Sequence, residues 1–128
     1  MNRSESPCYS GHRMTCPTVA SVTGAGAAPP VTSATSVVPA ADNYAHNTTA
    51  HTRAGVGQYT IFLKEKFPRI LSIAPNVIGT DGKKATVVSF DVTAASVTIL
   101  TWTVAGVAVD LASTDRLTIV FWNRLDLS

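Results

Sequence analysis

Charge is what this sequence has least of. Charged residues make up 14% of its 128 positions, against roughly a quarter in an average soluble protein. A surface with so few charges is weakly hydrated, which points to one covered by a partner. The 10 Lys and Arg outnumber the 8 Asp and Glu for a net charge of +2, but they are scattered, with no basic cluster beyond the pair Lys83-Lys84. Nucleic-acid binding draws on a concentrated basic patch that displaces counterions, so no nucleic-acid partner is expected. Long apolar runs are also missing. None approaches the roughly 20 residues that cross a bilayer as a helix. The opening stretch MNRSESPCYSGHRMTC lacks the apolar segment of a secretory signal. A cytosolic origin, or assembly inside a host cell, with no membrane partner is the expectation.

Cysteine is nearly absent. Cys8 and Cys16 both lie in the N-terminal segment, as free thiols or, under oxidising conditions, as a small disulfide loop. A metal site with His12 is the sharper alternative. Their spacing is not a recurrent zinc spacing, and no fourth ligand is evident. No metal or cofactor is expected.

Catalytic signatures are missing as well. There is no G-x-S-x-G elbow, phosphate-binding loop, dinucleotide glycine fingerprint or H-E-x-x-H. His12, His46 and His51 all precede the segment that reads as a folded domain. A nucleophilic site built with them would join a mobile arm to that domain, which preorganises poorly. His46 and His51 read as solvated or hydrogen-bonded side chains. Glu65, Asp81, Asp91, Asp110, Asp115 and Asp126 fall at expected turns and strand ends, where carboxylates cap the backbone. Asp110 and Asp115 lack the D-x-D-x-D spacing of a calcium loop. The chain is not expected to be an enzyme.

Helical periodicity is the last absence, and strand periodicity takes its place. ATVVSFDVTAASVTILTWTV, residues 85–104, reads as two strands around a turn at 93–96. Val88, Phe90 and Val92 alternate with Val87, Ser89 and Asp91, then Leu100, Trp102 and Val104 with Ile99, Thr101 and Thr103. QYTIFLK at 58–64 places Tyr59, Ile61 and Leu63 on one face. RILSIAPNVI at 69–78 gives a strand bent or bulged near Pro75, and Asp81-Gly82 signals a hairpin into the next strand. After a connection over 105–115, RLTIVFWNRLDL sets Leu117, Ile119 and Phe121 against Thr118, Val120 and Trp122.

Upstream the character differs. Residues 17–41 carry no charge, are rich in small residues, and hold prolines at 17, 29, 30 and 39, which interrupt helix and sheet ladder alike. The expected organisation is therefore an extended N-terminal arm over 1–54 with little regular structure. An all-β antiparallel sandwich or jelly roll of five or six strands follows over 55–128. Several strands are apolar on both faces, as at Ile61-Phe62 and Ile99-Leu100, which marks a second buried surface. Phe62, Trp102, Trp122 and Arg124 are the expected oligomer contacts. Val19, Val22, Val31, Val37 and Val38 are the expected contacts of the arm.

The segments GVGQYTIFL, RILSIAPNVIG, the VVSFDV–VTIL hairpin and DRLTIVFW together resemble small phage capsid decoration, or cement, proteins. The resemblance covers residues 55–128 and is one of architecture, with no site motif. It implies a non-enzymatic virion protein on the capsid exterior, made in the host cytoplasm. It further implies a homotrimer whose arms staple neighbouring major capsid proteins and stabilise the head. A tail-fibre or spike domain binding a host glycan is the alternative, with Tyr59, Trp102 and Trp122 as a stacking platform.

Overall fold

The computed structural model describes residues 13–33, 42–46, 51–67 and 70–126, with side chains from residue 17 to residue 123 within these. Eight strands follow in order: β1 (Arg13–Ala25), β2 (Ala28–Thr32), β3 (Thr52–Gly55), β4 (Gln58–Phe62), β5 (Ile70–Ile78), β6 (Lys84–Asp91), β7 (Ser96–Trp102) and β8 (Arg116–Asp126). They form two antiparallel four-stranded sheets, β2-β1-β8-β5 and β3-β4-β7-β6. No described residue is in an α-helix. The first strand pairs with the last and the fourth with the seventh, while β5 lies on the other side of β8.

The core follows from strand alternation. Inward residues are Ala20 and Val22 of β1, Tyr59 and Ile61 of β4, Val97 and Ile99 of β7, and Leu117, Ile119 and Phe121 of β8. Phe121 anchors one end of it, with Phe67 and Phe90 each at 6.1 Å between ring centres. Such aromatic pairs add to the burial of their area. The alternation read for β4 and β8 is the one the fold uses.

Three findings stand beside the expectations. First, residues 13–33, within the stretch expected as an extended arm, form β1 and β2. β1 is an interior strand, paired with β8 from Arg13 through Thr23 and with β2 over Val22–Ala25. Five strands begin after residue 55, within the expected five or six, and the other three begin upstream of it. Prolines are tolerated because each sits where pairing is one-sided: Pro17 lies before the stretch of β1 that β2 pairs, and Pro29 and Pro30 lie on edge strand β2. Second, Asp81-Gly82 does not close a hairpin, because β5 and β6 belong to different sheets and 79–83 crosses between them. Third, the irregularity of β5 falls between Ile70 and Ser72, not at Pro75, and β6 has a bulge between Val87 and Ser89. The bulge turns Val88 outward and leaves Ala85, Val87 and Phe90 half-buried toward the core.

Candidate interaction surface

The two long sides of the sandwich are finished differently. On one side β2 and β3 are the edges, and polar side chains close the gap. Asn43 takes the place of a strand neighbour for β1: its Oδ1 accepts the Ser21 N–H at 3.0 Å, and its Nδ2 donates to the Ser21 carbonyl at 3.1 Å. The adjoining backbone bridges the sheets. Tyr44 N–H donates to the Val19 carbonyl at 2.8 Å, and Lys64 N–H donates to the Tyr44 carbonyl at 2.9 Å.

His51 completes this closure. It was expected in the arm, yet it is 2% exposed. Its Nδ1 accepts the Phe62 N–H at 3.1 Å, so Nε2 carries the proton and donates to Thr32 Oγ1 at 3.0 Å. The Thr32 hydroxyl in turn donates to the His46 carbonyl. Burial, with His46 nearby, pushes the His51 pKa down to about 4. The imidazole is a neutral clasp between β2 and β4.

On the other side β5 and β6 are the edges, and the gap stays open where residues 70–73 face residues 87–92. An apolar groove of about 650 Å³ runs between them. Ile70, Ile73, Val87 and Phe90 form its floor, packed on the core, while Leu71 and Val92 form its rims, 55% and 48% exposed. Ser72 is the one polar lining residue. No residue of β5 is charged. An apolar surface left open in this way is the kind that marks interaction sites.

One end of the sandwich is pinned by ions. The Asp110 carboxylate accepts both Nε and Nη2 of Arg53, at 2.9 and 2.8 Å, together with the Gly57 N–H at 2.9 Å and the Tyr59 hydroxyl at 3.2 Å. The Arg53 hydrogen bonds foremost hold its pKa down at about 2. At the same end Lys83 Nζ donates to Asp115 at 2.6 Å and to Asp81 at 3.2 Å. These carboxylates fasten loops. Among the described residues no three His, Cys, Asp or Glu side chains converge as metal ligands.

The expected contact residues scatter. Val22 lies wholly in the core, Val19 is half-buried, and Val31 is exposed on β2. Phe62 and Trp102 face outward at opposite ends of the β4–β7 pair, whereas Trp122 is 40% exposed on the outer face of the other sheet. Tyr59 is core, so the three aromatics expected as a glycan platform do not share a face. Val37, Val38, Cys8, His12 and the side chains of Cys16 and Arg124 lie outside the described residues. The groove was missed because its lining comes from two strands read as one hairpin. The signal available was the uncharged, two-faced apolar run at 70–78. No family model, curated protein or solved structure matches the chain.

Proposed function

We propose that this protein is a non-enzymatic assembly subunit, a capsid decoration protein that clamps neighbouring major capsid proteins on the virion exterior. The observation that carries the reading is the open groove between β5 and β6, which exposes core-packed Ile73, Val87 and Phe90 beside rims with no ionisable side chain. A surface of this chemistry suits a protein partner. It offers apolar area for burial, at about 25 cal/mol per Å², and few groups whose desolvation would offset it. The low charge of the whole chain and its two-sheet fold support the same reading. Self-association is part of it, since several subunits joined together turn weak contacts into a strong clamp through effective concentration.

The test is co-sedimentation of the purified full chain with shells assembled from the major capsid protein. Wild type is expected to pellet with shells and to raise their melting temperature. Leu71→Asp, at an exposed rim position, is expected to weaken binding by at least about tenfold, since it buries an unpaired carboxylate against apolar surface. Failure of wild type to bind, or equal binding by Leu71→Asp, overturns the reading.

A further inference from the structure

We propose that a second copy of this chain pairs antiparallel with β6, about a two-fold axis through Val87, so that two sandwiches share one eight-stranded sheet. The inference rests on the assembly reading and names the partner at the groove's β6 side. It places a closed pair where the resemblance implies a trimer.

The bulge is the first ground for it. A two-fold axis perpendicular to an antiparallel pair sets one residue opposite its own equivalent, so the stretch that pairs spans an odd number of positions. The eight residues of β6 occupy seven positions, because Val88 and Ser89 of the bulge share one. Val87 is then the centre. The faces also agree in this register: exposed Thr86 meets exposed Ser89 of the second copy, and half-buried Ala85 meets half-buried Phe90. Without the bulge, Lys84 and Asp91 would lie on opposite faces of the strand. With it, both lie on the outer face.

Charge is the second ground. Lys84 and Asp91 are the two charged residues of the paired edge strands, one at each end of β6. The Val87 axis sets Lys84 opposite Asp91 of the second copy, twice per dimer, and opposite charges across an antiparallel pair are favourable. Asp91 Oδ1 accepts the Ala94 N–H at 3.0 Å, and the residue is exposed. β5 has no comparable pattern, and Pro75 withholds a donor near its middle. Pairing along β6 also brings the two grooves together across the axis, with Val87 and Phe90 of both copies on a common floor.

Sedimentation equilibrium of the full chain tests the proposal. Wild type is expected to be a dimer at about 0.2 mM, within reach of weak association. Lys84→Glu and Asp91→Lys are each expected to weaken it by about tenfold, since each sets like charges opposite. Mixing the two variants should restore the dimer, because one chain then carries both negative charges and its partner both positive ones. A thermal melt establishes that each variant is folded. If Asp91→Lys unfolds for want of its Ala94 cap, Lys84→Glu carries the test through relief of its defect at high salt. A monomeric wild type, unaffected single variants, or no gain on mixing and none from salt overturns the proposal. A monomer that still binds shells sinks the two-fold and leaves the capsid reading intact; a dimer that ignores shells does the reverse.

Discussion

Gly26 and Gly57 adopt nearly the same left-handed backbone, at φ 62° and 68°, yet only one of them is crowded. A Cβ on Gly26 meets nothing within 4 Å, whereas one on Gly57 falls 2.5 Å from the Thr101 carbonyl and 2.8 Å from that of Val109. Alanine in this conformation costs roughly 1 kcal/mol from its own backbone sterics. Gly26→Ala is therefore expected to cost about 1 kcal/mol in urea unfolding. Gly57→Ala must also displace two backbone segments, and is expected to cost about 3 kcal/mol. Equal costs would mean that the crowding relaxes freely. In the sequence Gly57 reads only as punctuation before a strand. Its closer constraint comes from residues more than forty positions away, which local pattern does not reveal.

Between elements the same contrast recurs. β4 and β8 were legible because each carries large apolar residues at every second position, and the faces read for them are those buried here. β1 was not, because Ala20 and Val22 fill its inward face with small side chains beside Thr18 and Gly24. Their burial is decided by the eleven residues of β8 laid along them, not by their own hydrophobicity. β6 was half legible: its strand character showed, but the bulge at Val88 puts Val87 on the same face as Phe90, from which simple alternation separates it. This bears on where the chain can be cut. A fragment of residues 55–128 removes the interior neighbour of β8 and uncovers Leu117 and Ile119. It also deletes His51, Asn43 and Arg53 from the closures they make. Such a fragment is expected to lack a cooperative unfolding transition, while the full chain has one, in far-UV circular dichroism against urea. A fragment that melts cooperatively with most of the parent's stability would mean that β1 only decorates the sheet.

In the whole molecule, the polar closure of one side and the ionic closure of one end respond to acid in different ranges. His51 is neutral when folded, with a pKa of about 4 in place of 6.5. From about pH 6.5 downward the unfolded chain takes up a proton that the folded chain refuses, so stability falls with acid until about pH 4 and then levels. Two and a half pH units at 1.36 kcal/mol each set a ceiling of about 3 kcal/mol for this loss. Asp110 works lower. It stays ionised in the fold to about pH 2 against an ordinary 3.8, so its contribution is complete above about pH 4 and is lost as pH falls toward 2. Urea midpoints measured from pH 7.5 to pH 2.5 should therefore decline in two limbs. His51→Gln keeps hydrogen-bonding capacity without a titrating proton and is expected to flatten the upper limb alone; Asp110→Asn is expected to flatten the lower limb alone. An upper limb that survives His51→Gln would mean that the clasp between Thr32 and Phe62 does not hold the imidazole neutral, and that the closed side of the sandwich is fastened by Asn43 and its neighbours instead.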